Sequence, residues 1–403
     1  MAQEDHMESR HYFSQKGAIA EAIIHSLATS TFFTDWCYAN PKKPDGNELC
    51  DLLVVFDDTA IIWQVKNLKV DAHGKYKSAE VERNLRQLVG ARRALFDLKT
   101  PIMLSNPRRG KELFDAGTIK HVHLISVVMG EGNHPTSMMP LVKGRRIHAF
   151  TREFADILLH ELDTVSDFCR YLRAKDGIDI SKRIVIRGGE ENLLGKYIEL
   201  GRNFDWMANY DTIYIDDTIW PKIETMPQYI EKKKMDAISR GWDSIIERAH
   251  EGSSRYERVA RELARPDRYM RRILATSFYE AYSTFMASDG ELFRRQTCLL
   301  DTAYCFLITD NVDHPSIRNQ KMLSAMCFVS RGLNPSIQRV LGIATTKANK
   351  GYDFCFLEMP NWTTDDEMLK LRIQDEYGIF KSPVITETSD DEYPPIPNDP
   401  RCA

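Results

Sequence analysis

The sequence predicts a mixed α and β protein of two or three domains, and three observations carry that expectation. A chain of 403 residues exceeds one ordinary compact domain, because domains run at about 100–200 residues. Its first part alternates hydrophobic periods in the order helix, hairpin, helix, strand, helix, the pattern of an α/β or α+β domain. Its second part passes from helix-rich to β-prone, which gives a second, α+β domain.

Residues 11–28, HYFSQKGAIAEAIIHSLA, read as the first helix, because Ile19, Ile23, Ile24 and Leu27 recur at helical spacing. The stretch ANPKKPDGNE then breaks the pattern with two prolines and a glycine. Leu52–Phe56 and Ala60–Val65 are rich in Val and Ile and flank Asp57-Asp58-Thr59, so they read as a β-hairpin. A helix follows at about 78–98, with Val81, Leu85, Leu88, Val89, Ala91 and Leu95 as its apolar stripe. His121–Met129 reads as a strand, and helices are expected at about 151–161 and 164–175. A boundary is expected near 176–190, DGIDISKRIVIRGGE, where polar residues and glycines cluster.

Residues from about 229 to 287 are helix-rich, with Pro266 breaking the pattern. From about 298 the apolar runs are short and β-prone: Ala303–Ile308, Ala325–Val329, Val340–Ala344 and Phe354–Leu357. The tail from about 383 is proline-rich and acidic and reads as disordered. The expected organisation is therefore a first domain over 1–175, a second over 190–380 and a tail over 383–403.

Composition narrows the function classes. Hydrophobic residues at 43% and charged residues at 28% describe a globular protein. With 54 Lys+Arg against 58 Asp+Glu, the net charge of -4 excludes a uniformly basic nucleic-acid coat but permits a local basic groove. The longest apolar run falls far short of the roughly 20 residues that a bilayer requires, so no membrane partner is expected. The opening MAQEDHMESRHYF lacks an apolar signal core. None of the eight cysteines is spaced as CxxC, which argues against zinc ribbons and for reduced, buried thiols. A cytoplasmic location is expected.

The hairpin carries the chemistry. With a two-residue turn at Asp57-Asp58, Phe56 faces Thr59, and counting outward sets Asp51 opposite Gln64. Side chains alternate along a strand, so Gln64 and Lys66 share one face while Trp63 and Val65 take the other. Cross-strand neighbours lie about 5 Å apart, which brings Asp51, Gln64 and Lys66 together. A carboxylate beside an amide carbonyl offers hard oxygen ligands to Mg²⁺ (or Mn²⁺). A lysine alongside orients the attacking water or stabilises developing negative charge. Glu21 and Glu48 are candidates for a further carboxylate.

Three strings resemble the PD-(D/E)xK nuclease superfamily: Ser14 to Glu21 (SQKGAIAE), Glu48 to Asp51 (ELCD) and Gln64 to Lys66 (QVK). The likeness covers residues 11–70 and is closest to the Mrr-like and NERD-like branches. It implies a restriction-endonuclease-like fold, a central mixed sheet flanked by helices, and metal-dependent cleavage of nucleic acid. It further implies Asp51 as principal metal ligand, Gln64 as second ligand through its carbonyl, Lys66 as catalytic lysine and Glu21 as supporting carboxylate. Two positions depart from the pattern: Cys50 stands where the superfamily has proline, and Gln64 replaces a carboxylate.

A nuclease holds a polyanion, so basic residues should line one face. Lys42, Lys43, Arg83 and Arg86 are the candidates in the first domain, with Arg92, Arg93, Arg108 and Arg109 nearby in sequence. Arg255, Arg258, Arg261, Arg265, Arg268, Arg271 and Arg272 recur at helical spacing in the second half, either as a binding stripe or as a solvated charged face. No GxxxxGK[ST], GxSxG or HExxH occurs, so no nucleotide cofactor is expected. His121 and His123 share a strand face and read as core or edge residues.

The resulting expectation is a Mg²⁺-dependent endonuclease preferring DNA to RNA, extended by analogy to defence against foreign or phage DNA. The second domain would sense, bind or oligomerise, with a homodimer as the simplest way to cut two strands. The alternative is a non-catalytic nucleic-acid-binding or scaffold protein that keeps a nuclease-like fold.

Overall fold

The computed structural model describes residues 21–68, 70–98, 100–130, 138–252, 256–310, 317–347, 351–385 and 391–394. It is α+β, and its packing divides it into two units, Met1–Thr225 and Met226–Ala403.

In the first unit, helix α1 (21–32) precedes β1 (Cys37–Ala39), β2 (Leu52–Phe56) and β3 (Thr59–Asn67). The part of the first expected helix before residue 21 lies outside the described residues. β2 and β3 form the expected hairpin, with Phe56 paired to Thr59 and Leu52 to Trp63. Asp57 takes a left-handed φ of 49° at the turn, which a short polar side chain tolerates. Helix α2 (Ser78–Phe96) crosses over to β6 (His121–Met129), after the hairpin β4 (Met103–Asn106) and β5 (Gly110–Leu113). β3 and β6 are parallel, with Gln64 paired to Ser126. β7 (Leu141–Val142) and β8 (Arg145–Arg146) lead to β9 (His148–Thr151), which lies parallel to β6. The central mixed sheet therefore runs β1-β2-β3-β6-β9.

Both faces of that sheet are covered, which is why β3 reads as an almost unbroken apolar run. On one face Leu53, Ile62, Leu124 and Val128 pack with Val81, Leu85 and Leu88 of α2. The other face stacks Trp63 on Phe168, which meets Phe32 of α1 edge-on. Phe168 belongs to α4 (Val165–Asp176), which follows α3 (Arg152–Glu161). Thr151 and Thr164 cap these helices by accepting from Phe154 and Asp167 N–H, caps worth about 1 kcal/mol each.

The boundary expected at 176–190 falls instead after Thr225. β10 (Arg183–Ile186), α5 (Glu191–Glu199), β11 (Thr212–Ile215) and α6 (Ile219–Thr225) belong to the first unit. The reason is burial: the Lys175 ammonium of α4 pairs with Glu190, Tyr171 also donates to Glu190, and Tyr171 packs edge-on against Tyr197. Polar, glycine-rich composition marked a loop there, not a division between cores.

The second unit begins with α7 (Pro227–Asp236), α8 (Arg240–Gly252), α9 (Glu257–Ala264) and α10 (Arg268–Met286), with Pro266 between the last two. β12 (Leu292–Leu299), β13 (Thr302–Thr309), β14 (Arg339–Thr346) and β15 (Tyr352–Glu358) follow in that order across one sheet. Helix α11 (Ile317–Leu333) connects the parallel pair β13 and β14. Ala303, Cys305 and Leu307 face α11, while Tyr304 and Phe306 face Trp242 of α8, the alternation a two-sided strand requires.

The run Ala325–Val329, read as β-prone, is helical inside α11. A five-residue apolar run has no period of its own, and Met326, Cys327 and Val329 pack into the core from a helix. The last helix, α12 (Thr364–Tyr377), opens on a Thr363–Asp366 capping box and stops at Gly378 with φ 62°. Of the expected disordered tail, residues 386–390 and 395–403 lie outside the described residues. Residues 391–394 are described and engaged: Arg272 donates to the Asp391 and Glu392 carbonyls, and Lys232 lies 3.6 Å from the Glu392 carboxylate. Among the described residues no helix is long and apolar enough to cross a membrane.

Candidate functional site

The end of the β2–β3 hairpin brings polar side chains into an otherwise apolar setting. Asp51 lies one step beyond β2, and its N–H donates to the Trp63 carbonyl at 3.2 Å, so the pairing runs on to Gln64. Gln64 Nε2 donates to Asp51 Oδ1 at 2.6 Å, and the Val65 N–H donates to Oδ2 at 2.5 Å. Lys66 Nζ lies 3.8 Å from Oδ1. Asp51 and Gln64 are buried, whereas the Lys66 side chain keeps 35% of its exposure. The three residues that the hairpin register brings together are therefore in contact.

Two further carboxyls join them. Burial pushes Asp51 up to about 7, and a hydrogen bond with the Glu48 carboxyl and the charge of Glu21 push the same way, against Lys66 and the Val65 N–H. Burial also raises Glu21, which feels Lys66 as an attraction and Glu48 as a repulsion. Glu21, Glu48 and Asp51 thus share one electrostatic neighbourhood with the Lys66 ammonium. Asp51 is buried while Glu21 is half-buried and Glu48 exposed, and a buried carboxyl beside two others favours a proton or a cation. Glu48 was the weakest of the carboxylate candidates in the sequence. It arrives because the exposed loop after Pro41 folds back, with Lys42 and Glu48 bridged across it. Cys50, the residue before Asp51, is packed in the core with Leu49 and Leu53.

The candidate phosphate contacts separate into three groups. Lys42 is exposed and Lys43 half-buried on the loop that carries Glu48. Arg83 and Arg86 are exposed on α2, opposite the buried Asn84 and Leu88, and Arg86 pairs with Glu82 at 3.3 Å. Among the described residues no ion pair joins either arginine to the carboxyl cluster. Arg108 and Arg109 are already held, by Asp35 at 3.1 Å and Glu112 at 2.6 Å.

The described arginines of the second-half stripe are all in ion pairs, three of them buried. Arg268, Arg271 and Arg272 are buried and bound to Asp243, Asp243 and Asp236 at 2.8, 2.7 and 3.1 Å. Arg258, Arg261 and Arg265 pair with Glu358, Glu257 and Glu262. Arg255 lies outside the described residues. Helical spacing is shared by a solvated stripe and an internal ion network, and the partners on other helices decide between them.

The strand face with His121 and His123 also holds more than the sequence reading assigned to it. His123 and His148 converge on Asp176, a grouping that no spacing pattern signals, because the three come from two strands and a helix end.

No protein-family model matches the chain, and no curated protein or solved structure matches it either. The reading of the site therefore rests on its own geometry.

Proposed function

We propose that the chain is a divalent-metal-dependent nuclease that hydrolyses phosphodiester bonds, DNA in preference to RNA. The observation that carries this reading is the convergence of Glu21, Glu48, Asp51, Gln64 and Lys66 at one end of the hairpin. The donor set is all oxygen, carboxylates and an amide carbonyl, which suits Mg²⁺ or Mn²⁺. Burial first, and the neighbouring carboxyls after it, push the Asp51 carboxyl up, and a bound cation would favour its charged form.

Asp51, with Gln64 Oε1 and the Glu21 and Glu48 carboxylates, would hold the cation. When bound, it would supply neutralisation of phosphoryl charge and acidification of water. The chain's own residues do the rest. Gln64 Nε2 and the Val65 N–H each donate to a different oxygen of Asp51, which fixes the carboxylate plane. Lys66 sits at the solvent edge, and among the described residues its ion pair is with Asp51 at 3.8 Å. It is positioned to neutralise charge developing on a phosphoryl oxygen or to orient the attacking water. Lys42 and Lys43 on the adjacent loop, and Arg83 and Arg86 on α2, would contact backbone phosphates without reading sequence.

All seven described cysteines are free thiols, which supports a reducing, cytoplasmic setting. A role in defence against foreign DNA, and a homodimer that cuts both strands, extend this reading by analogy. The test is incubation of purified protein with supercoiled plasmid and with RNA in Mg²⁺ or Mn²⁺. Cleavage is expected, abolished by EDTA and reduced at least ~100-fold in Lys66→Ala. Full cleavage by Lys66→Ala sinks the assignment. A folded wild type that binds nucleic acid but never cuts it, and binds no Mg²⁺, favours the scaffold reading.

A further inference from the structure

We propose that His123, His148 and Asp176 form a second metal site, selective for a divalent transition metal of the zinc class. This site is independent of the Asp51 cluster. His123 stands on β6 and His148 on the neighbouring strand β9, where it pairs with Ile125. His123 and Ile125 are two residues apart on one strand, so both imidazoles lie on the same face of the sheet. Ser126, the partner of Gln64, has the opposite parity. The Asp51–Gln64 pair and the histidines therefore occupy opposite faces.

Asp176 closes the trio from the last residue of α4. The Arg146 guanidinium holds that helix end by donating to the Asp176 and Ile178 carbonyls. One Asp176 oxygen lies 2.9 Å from His123 Nδ1 and the other 3.3 Å from His148 Nε2. One ligand atom from each residue lies within 4.8 Å of the others. Four-coordinate zinc with ligands at about 2.0–2.1 Å has ligand edges of about 3.3 Å, so small side-chain shifts would bring the three ligand atoms to bonding distance of one ion.

Hydrogen bonding alone leaves the trio incomplete. His148 is buried, and among the described residues neither of its ring nitrogens, nor His123 Nε2, has an aligned hydrogen-bond partner. A cation between the three residues would take one lone pair from each and give His148 Nε2 a partner. The Asp176 side chain is one-third exposed, which provides the way in. Lys175, the neighbouring cation, is paired with Glu190. Two imidazoles and one carboxylate are a donor set for zinc-like ions and a poor one for Mg²⁺, which requires oxygen. Bound metal would clamp the end of α4 to β6 and β9.

The test is a Co²⁺ titration of the metal-stripped full chain, followed by visible absorption. Expected are the bands of a four-coordinate site that saturate at one Co²⁺ per chain in the presence of excess Mg²⁺, and their displacement by Zn²⁺. Asp176→Asn, at the partly exposed member, should weaken binding at least ~10-fold, and His148→Gln should do the same, while Asp51→Asn leaves the bands in place. If His148→Gln does not fold, Asp176→Asn decides. Absence of the bands at saturating Co²⁺ overturns the proposal, as does their loss in Asp51→Asn or their survival at full affinity in Asp176→Asn.

Discussion

Asp51 in the first unit is buried and Asp243 in the second largely so; both lie beside basic side chains, yet their surroundings act in opposite directions. Asp243 receives Arg271 at 2.7 Å and Arg268 at 2.8 Å. Burial pushes its carboxyl up, but the two guanidinium groups outweigh it and hold it below the usual range. Arg271 is in turn satisfied by the Pro266 and Ala264 carbonyls, so the network closes on itself. Asp51 has one lysine at 3.8 Å and two other carboxyls for company, and it is pushed up to about 7. The first arrangement completes its own charge balance and holds helices together. The second does not, and asks for something from outside.

The contrast can be broken by substitution. Asp243→Asn would leave Arg268 and Arg271 buried without their carboxylate, and is expected to destabilise the second unit by about 3–5 kcal/mol in urea unfolding. Asp51→Asn removes a charge that the fold tolerates poorly, so it should leave stability in EDTA unchanged or higher at pH 8. A severe loss there would mean that Asp51 is structural, like Asp243. On the same reasoning Glu48→Gln should weaken Mg²⁺ binding about 10-fold by calorimetry, with no loss of stability.

The two carboxyls also predict opposite responses to pH. Asp243, held below the unfolded value of about 3.9, contributes stability that is present above that pH and lost as pH falls through its folded value. Asp51 is raised, so its contribution is present below about 4 and lost as pH rises towards about 7. Hydrogen exchange in EDTA should show acid opening of α8 and α10, and loosening of the hairpin end between pH 4 and 7 that Mg²⁺ reverses. Parallel pH profiles in the two regions would remove the distinction. The smallest expected effect is at the surface: Arg83→Ala and Arg86→Ala should each weaken nucleic-acid binding modestly and lower its salt slope by about 1.

Much of the first unit was legible because its signals are local. The Asp57-Asp58 turn sets the register, and period-two alternation then assigns Asp51, Gln64 and Lys66 to one end of the hairpin before any tertiary contact is known. The run His121–Met129 is long and β-branched enough to read as the strand it is. Ala325–Val329 was not legible, because a short apolar run fits a buried helix as well as a strand.

By itself, then, the amino-acid order determined the α+β class, the hairpin register and the trio at its end, since all depend on residues within a turn or two of each other. Tertiary structure alone decided what depends on distant partners. Glu48 joined Asp51 through a loop that folds back on itself. Arg268, Arg271 and Arg272 became an internal lock because Asp236 and Asp243 on other helices meet them. His123 found Asp176 across 53 residues. Charge is written in the sequence, but whether it ends in water, in an ion pair or at a site waiting for a cation is set by what the fold packs against it.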